Sequence, residues 1–196
     1  PLFFCQVEAL ETAIFLLEVA QHRQPWIEAR LKEYSDTHNQ GLYRIALKMA
    51  TGSGKTVVMA MLIAWQALNK LANPRDKRFS DTFLIVTPGI TIRDRLRVLL
   101  PNDPQTYYRQ RDIVPADLMP QLHQAKIVIT NFHTFKLRER VSTGKITKQL
   151  LKQTDGVNPF TETPDQMVRR VCRELGNKKN IIVINDEAHH CYRRKP

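Results

Sequence analysis

The residues best suited to chemistry lie in two short runs, one in the first third of the chain and one near its end. The first, MATGSGKT, covers residues 49–56 and places two glycines ahead of a lysine and a threonine. It departs from the pattern G-x-x-x-x-G-K-[ST] because Met49 stands where the first glycine is usual. Glycines let backbone N–H groups close around phosphates, and a helix that begins at Lys55 adds positive potential. The run predicts a phosphate-binding loop in which Ala50 and Thr51 supply the turn.

Within this loop, Lys55 is expected to reach the β- and γ-phosphates, and the Thr56 hydroxyl is expected to ligate Mg²⁺. The simpler alternative is a glycine-rich turn between a strand and a helix, with no ligand. The full set of predicted nucleotide-binding residues in the loop is Thr51, Gly52, Ser53, Gly54, Lys55 and Thr56.

The second run, IIVINDEAHH, covers residues 181–190 and puts Asp186 and Glu187 directly after an apolar strand. Ligands of parallel α/β sheets bind outside the carboxyl ends of the strands, so these acids and the glycine loop should converge. Asp186 is expected to hold Mg²⁺, and Glu187 to orient and deprotonate an attacking water. Because a small-molecule kinase must exclude water, the acid pair favours hydrolysis; the alternative is two solvated acids. The expected ligands are ATP and Mg²⁺, and the expected catalytic residues are Lys55, Asp186 and Glu187.

The elements that must position these residues alternate between helix and strand. Hydrophobic spacing and helix-ending residues predict helices over 7–17, 55–71, 90–100 and 164–176, and apolar runs predict strands over 42–49, 82–88, 125–131 and 180–186. Alternation of helices with continuously apolar strands predicts an α/β fold of three layers around a mostly parallel sheet.

Composition favours a polyanionic partner. Lys and Arg number 30 against 19 Asp and Glu, for a formal net charge of +11. Nucleic acid is a better candidate than a membrane, and a merely solvated basic surface is the alternative. No apolar run is long enough to span a membrane. The three cysteines, at positions 5, 172 and 191, have no paired spacing, which predicts a reducing, cytoplasmic setting.

A long basic segment, 136–178, separates the last two predicted strands. Its first part, 136–153, carries six Lys and Arg residues against Glu139 alone. Connections of this length in compact domains are usually functional or mobile. Residues 136–178 are predicted to form an insertion, and its basic stretch 136–153 is predicted to make a secondary contact with DNA.

The runs MATGSGKT and DEAH resemble motifs I and II of superfamily-two helicases and translocases. The form M-A-T-G-x-G-K-T is similar to that of the restriction-enzyme branch, and FFCQVEALETAIFLLEV resembles the start of the helicase region in relatives of type III restriction endonuclease Res subunits. The resemblance covers nearly the whole chain. It implies that residues 1–196 form an N-terminal RecA-like P-loop NTPase domain of an ATP-driven DNA motor that serves restriction.

The resemblance also implies residue roles. Gln6 matches a glutamine that reads adenine, with Phe3 or Phe4 stacking on the base; the alternative for Gln6 is an ordinary polar residue at a helix N-terminus. The residue matched to His189 couples nucleotide state to a second motor domain. A metal site at 189–191 is disfavoured because ligands from one short run rarely close a tetrahedral site, and the sequence offers no partner cluster. Candidate contacts to the nucleic-acid backbone are Thr87, Pro88, Gly89, Arg93, Thr130 and Asn131, although Arg93 and Arg95 are equally compatible with a solvated helix face.

The chain begins without methionine and stops at Pro196, a few residues past the acid pair, so we expect a fragment that is incomplete at the C-terminus and inactive in isolation. The resemblance leaves room for a second RecA-like domain and a nuclease domain in the same parent chain, and for a methyltransferase subunit as partner. Other interpretations are a superfamily-two helicase outside restriction that acts on DNA or RNA, a P-loop kinase, and a non-catalytic nucleic-acid-binding module.

Overall fold

Three short strands form a parallel sheet in the computed structural model, which describes residues 1–38, 41–138 and 161–188. The strands are β1 (Thr82–Thr87), β2 (Lys126–Asn131) and β3 (Ile182–Asn185), in the order β2-β1-β3. Thr87 pairs with Asn131, and Val86 pairs with Asn185, so the three strands end at one edge. The predicted parallel sheet is confirmed, and every residue of β1 is buried.

Helices surround this sheet, and the sequence predicted four of the eight α-helices in the described residues. They are α1 (Phe4–Ile14), α2 (Ala20–Arg23), α3 (Pro25–His38), α4 (Lys55–Ala72), α5 (Ile90–Arg95), α6 (Tyr107–Gln110), α7 (Met119–Leu122) and α8 (Pro164–Val171). A π-helical turn, Phe15–Val19, joins α1 to α2, and the 3₁₀ turns are Leu96–Leu99, Phe132–Phe135 and Arg173–Leu175. None of the helices in the described parts of the chain is long and apolar enough to cross a membrane.

The central strand β1 is buried on both faces, because its successive side chains point to opposite sides and each set packs into a core. Phe83 and Ile85 pack into the larger core with α4, α6 and α7. Leu84 and Val86 pack into a smaller core with Val128 and Leu175. This arrangement gives the three layers that the sequence predicted.

Helix α4 joins the glycine loop to this core. It begins at Lys55 and ends at Ala72, and the N–H of the capping residue Asn73 donates to Asn69 O at 2.9 Å. Pro74 follows, and its ring disfavours helical backbone angles at the preceding residue, Asn73. The helix therefore ends where the sequence predicted. Residues such as Ala60, Ile63 and Ala67 are completely or almost completely buried. Because α4 is fixed in the core, the lysine at its start is fixed relative to the sheet.

The segment 42–49 corrects one prediction. It was expected to be a strand, but it contains no helix or strand and pairs with none of the described strands. Ile45, Leu47 and Met49 are half-buried, whereas Ala46 and Lys48 are exposed. The segment therefore shows the alternating burial that is typical of a strand, but not the hydrogen-bonded pairing. Leu47 and Met49 instead pack against the apolar side chains at the start of α4.

The described part of the basic segment is ordered by an ion pair. Arg170, on α8, donates through Nε and Nη2 to the two carboxylate oxygens of Glu162 at 2.9 and 2.8 Å. It also donates to the carbonyl oxygens of Thr134 and Lys136. Arg170 thereby ties α8 to the turn that follows β2. Residues 139–160, which contain most of the predicted basic stretch, lie outside the described residues.

This ion pair predicts an acid-sensitive contribution to stability. Its hydrogen bonds from Arg170 hold the pKa of Glu162 below the ordinary value of 4.5. A carboxylate with a lowered pKa stabilises the fold above its unfolded pKa, and that contribution is lost as the pH falls through the folded value. Glu162→Gln should therefore lower the melting temperature at pH 7, and the difference from wild type should close below pH 4.5.

Thermal melts of the two proteins across this pH range test the expectation. Glu174→Gln is the matched control because Glu174 is exposed and forms no ion pair among the described residues. A stability difference between wild type and Glu162→Gln that stays constant down to pH 3 would show that the ion pair is not its cause.

Candidate nucleotide site

The glycine loop closes between the segment 42–49 and α4. Gly52 and Gly54 have φ angles of 79° and 83°, in the left-handed region that favours glycine. Both the N–H and the hydroxyl of Ser53 donate to Ala50 O, at 3.3 and 2.7 Å. A turn over Ala50–Ser53 therefore exists without a glycine at position 49, where Met49 is anchored by apolar packing.

Gln6 holds this loop from the N-terminal helix. Its Nε2 donates to Ser53 O at 2.9 Å, and its Oε1 accepts from the Phe3 N–H at 3.0 Å. The side chain is buried, and a Cβ added at Gly54 would collide with Gln6 Nε2. In this structure Gln6 therefore both caps the start of α1 and supports the loop. Phe3 and Phe4 are exposed.

The start of α4 offers donors and ligands for an anion with a metal. The N–H groups of Gly54, Lys55 and Thr56 make no backbone hydrogen bond within the described residues, as expected at a helix N-terminus. Thr56 lines a cavity of about 210 Å³ together with Gly52 and Gly54. The described residues contain no group of three or more metal-ligating side chains. Mg²⁺ usually takes only one or two protein oxygens and fills its shell with phosphates and waters, so Thr56 and Asp186 fit it chemically.

The acid pair lies at the carboxyl end of β3, next to the loop. The Asp186 N–H donates to Val86 O at 3.0 Å, which extends the pairing of β1 and β3 by one residue. Glu187 Oε1 lies 3.3 Å from Lys55 Nζ, and both side chains are about one-third exposed. Glu187 has a φ of 53°, which is uncommon for a residue other than glycine and is often found at functional sites.

The electrostatics of Asp186 suit a cation. Burial raises the pKa of its carboxyl, the neighbouring Glu187 raises it further, and Lys55 opposes the rise. A raised pKa means that the charged carboxylate lacks full compensation in its surroundings. A divalent cation would supply that compensation, as bound cations commonly do for buried carboxylates.

The residues predicted to contact nucleic acid lie at the same edge of the sheet, but their side chains differ in solvent exposure. The Thr87 side chain is buried, and its hydroxyl donates to Gly89 O at 2.9 Å. Asn131 Oδ1 accepts from the N–H and the hydroxyl of Thr134, so it caps the turn after β2. Thr130 is buried as well, whereas a side chain at Gly89 would meet open space. Thr87 and Asn131 thus shape the edge with their side chains.

The remaining predicted contacts are more accessible. Pro88 is half-buried, and Arg93 forms a local ion pair with Asp94 at 3.1 Å. His189 lies outside the described residues. Two residues that the sequence did not suggest, Tyr107 and Arg111, line the same cavity as Gln6 and the loop. Nothing in the run YYRQR distinguishes them from residues of an ordinary surface helix.

A three-layer fold around a parallel sheet, with a glycine loop at a helix start and an acid pair at a strand end, defines an α/β P-loop nucleotide-binding domain. The chain belongs to the family described as type III restriction enzyme, res subunit, whose family model matches residues 2–195. This membership identifies a RecA-like, helicase-like ATPase domain and confirms the resemblance seen in the two motifs. No curated protein and no solved structure matches the chain.

Proposed function

We propose that this domain hydrolyses ATP to drive movement along duplex DNA in a type III-like restriction system. The observation that carries the proposal is the 3.3 Å contact between Lys55 Nζ and Glu187 Oε1. It brings the cation of the glycine loop and a carboxylate from the end of β3 into one site. A phosphate-binding lysine beside a candidate base is the arrangement that hydrolysis of a terminal phosphate requires.

The chemistry assigns one task to each residue. The phosphates are held by the Lys55 ammonium and by the N–H groups of the loop residues 51–56, except that of Ser53, which donates to Ala50 O. Gln6 contacts adenine. Thr56 and Asp186 hold Mg²⁺, which neutralises charge on the phosphates when bound. Glu187 accepts a proton from a water whose oxygen attacks the γ-phosphorus, and the bond from that phosphorus to the bridging oxygen of ADP breaks.

Gln6 can contact adenine only through donor and acceptor sites that its present hydrogen bonds leave free. Among the described residues, Oε1 accepts one hydrogen bond, from the Phe3 N–H, and so has a second lone pair available; Nε2 has a second N–H beyond the one bound to Ser53 O. The amide therefore retains one acceptor site and one donor for a base. Nucleotide binding and loop support can then coexist in Gln6.

The carboxyl edge of the sheet supports a coupled contact with DNA. β1 carries Thr87, Pro88 and Gly89 at its end, and the adjacent β2 carries Thr130 and Asn131. Neighbouring strands lie about 4.8 Å apart, so this edge adjoins the acid pair at the end of β3. Backbone amides at the open Gly89, with the half-buried Arg93 nearby, suit contacts to phosphates rather than to base edges.

The proposed organisation treats 1–196 as one RecA-like domain with 136–178 as a basic insertion, whose stretch 136–153 adds a DNA contact. In the working enzyme, a second RecA-like domain would close over the γ-phosphate and supply an arginine, and His189 would couple the two domains. A nuclease domain in the same parent chain and a methyltransferase subunit complete the proposed restriction system. ATP, Mg²⁺ and duplex DNA are the proposed ligands.

ATP turnover by the full parent protein, in which the proposed second RecA-like domain is present, tests this function when it is measured without nucleic acid and with duplex DNA, single-stranded DNA or RNA. We expect Mg²⁺-dependent release of phosphate that duplex DNA stimulates most. Stimulation by RNA alone would favour an RNA helicase. Phosphate transfer to a small molecule in place of water would favour a kinase, and nucleic-acid binding without turnover would favour a non-catalytic module.

The salt dependence of DNA binding tests the proposed backbone contacts. The logarithm of the affinity for duplex DNA should fall with the logarithm of the salt concentration, by about 0.9 for each phosphate contacted. It should change little between duplexes of different sequence. Affinity that is independent of salt, or that depends strongly on sequence within this domain, would argue against phosphate contacts at the ends of β1 and β2.

A further inference from the structure

The cavity of about 210 Å³ beside the glycine loop is lined in part by residues that lie outside the two sequence motifs. Gln6 lines it from α1, and Gly54 and Thr56 line it from the loop and the start of α4. Tyr107 and Arg111 line it from α6 and the residue that follows. This wall comes from a part of the chain about 50 positions away from the loop, and the proposed function uses none of its residues.

Tyr107 is held in place by the same core that holds the loop. Its half-buried ring packs against the apolar cluster of Val57, Val58 and Met61, in the first two turns of α4. Val57 follows Thr56 directly, so the ring contacts the helix at the end where phosphates are expected to bind. The position of Tyr107 relative to the loop is therefore fixed by buried packing.

Tyr107 in turn holds Arg111. The Arg111 N–H donates to Tyr107 O at 3.0 Å, which sets the backbone of Arg111 one helical turn further on. The Arg111 guanidinium lies over the Tyr107 ring, 5.5 Å from its centroid. Stacking of this kind restrains the planar guanidinium while its N–H donors stay available at the edge.

Arg111 is also a cation without a carboxylate partner among the described residues, since none of their ion pairs includes it. The exposed Arg78, by contrast, is paired with Asp76 and Glu18. An exposed guanidinium that lines a cavity next to open backbone N–H groups is suited to an anion.

We propose that Arg111, positioned by Tyr107, binds the phosphate chain of the nucleotide. This inference rests on the proposed function, because it assumes that ATP occupies the glycine loop. The cavity, at about 210 Å³, is smaller than the roughly 300–1,000 Å³ that is usual for pockets of drug-sized ligands. A nucleotide bound at the loop would therefore fill it and contact the residues that line it, including Arg111. Guanidinium donors match phosphate oxygens in geometry and charge, and Phe3 already offers an aromatic face for the base.

Nucleotide affinities of Arg111→Ala, measured by calorimetry in the presence of Mg²⁺, test the proposal. Affinity for ATP should fall about tenfold, near the lower end of what hydrogen bonds to charged groups contribute. The loss should shrink for AMP and vanish for adenosine, because the contact is to phosphate. Arg111→Lys, which keeps the charge but not the planar donors, should recover part of the ATP affinity.

Arg109→Ala is the matched control, because Arg109 lies two positions away, is exposed and does not line this cavity. It should bind ATP as wild type does. Tyr107→Leu should weaken ATP binding like Arg111→Ala, because the leucine keeps an apolar contact with α4 but offers no ring for the guanidinium. ATP affinity of Arg111→Ala equal to that of wild type would overturn the inference, and so would an equal loss for adenosine and ATP.

The outcome separates this inference from the proposed function. If wild type binds ATP, Lys55→Ala does not, and Arg111→Ala binds as wild type, then only the role of Arg111 fails. If wild type does not bind ATP, or Lys55→Ala binds it equally well, the proposed nucleotide site itself fails.

Discussion

Lys55→Ala is expected to lower ATP turnover about 10²- to 10³-fold, the loss typical when one charge-stabilising donor is removed from a transition state. Lys55 is the first residue of α4, and its ammonium is aimed at the acid pair of β3. A bound γ-phosphate would lie in the same region, so the variant loses a fixed positive charge where negative charge develops. ATP affinity should fall as well. Phosphate release and calorimetric titration with Mg-ATP, both on the full parent protein, measure the two effects.

Lys70→Ala provides the charge-matched control. Lys70 lies on the same helix, 15 residues and roughly 22 Å from Lys55 at a rise of about 1.5 Å per residue. Its Nζ donates to Asp76 O, which is a local contact in the following turn. Turnover by Lys70→Ala should therefore stay close to wild type. Equal turnover by wild type and Lys55→Ala would refute the motor site.

Glu187→Gln is expected to separate binding from hydrolysis. Loss of a general base typically costs about 10²- to 10⁴-fold in rate, so phosphate release should fall by that factor. ATP binding should be retained or become slightly tighter, because the variant no longer competes with phosphate for Lys55. The gain should be small, since the Lys55–Glu187 pair is one-third exposed and such pairs contribute about 0.2–1 kcal/mol.

Glu174→Gln serves as the control for this substitution because it removes the same charge from the exposed turn that precedes β3. Single-turnover measurements with bound ATP distinguish a slow chemical step from slow product release. If Glu187→Gln hydrolyses ATP at the wild-type rate, another group activates the water. If the variant binds no ATP, Glu187 has a structural role in the site.

The sequence predicted the sheet well because its strands are continuously apolar. The runs in β1, β2 and β3 are recognisable without any knowledge of their partners, and β1 proved to be fully buried. The segment 42–49 shows the limit of the pattern. Alternating hydrophobicity reports which side chains face an apolar neighbour, but that neighbour can be a helix as well as a strand. Strand pairing is a property of the whole fold.

Only the part of the candidate site that lies in local motifs could be predicted from the sequence. The acid pair follows a strand, and the loop was predicted to follow one as well, so the two were expected to converge at one edge of the sheet. The Lys55–Glu187 contact agrees with this expectation, although the segment 42–49 before the loop is not a strand. The double use of Gln6, at the start of α1 and on Ser53, depends on how α1 docks. The wall of Tyr107 and Arg111 depends on the path of the chain between β1 and β2. Neither arrangement has a local signal.

The position of β3 beside β1 has a consequence for how the protein is made. Ser80 Oγ donates to Asn180 O at 2.7 Å, across 100 positions of sequence, and parallel strands cannot pair until both have left the ribosome. At about 5–20 residues per second, the start of β1 waits roughly 5–20 s for this partner. During that time one edge of β1 is open, which is a known hazard for aggregation. Because Asp186 and Glu187 arrive with β3, the nascent chain acquires its glycine loop well before it acquires the acids, and a nucleotide captured early would not be hydrolysed.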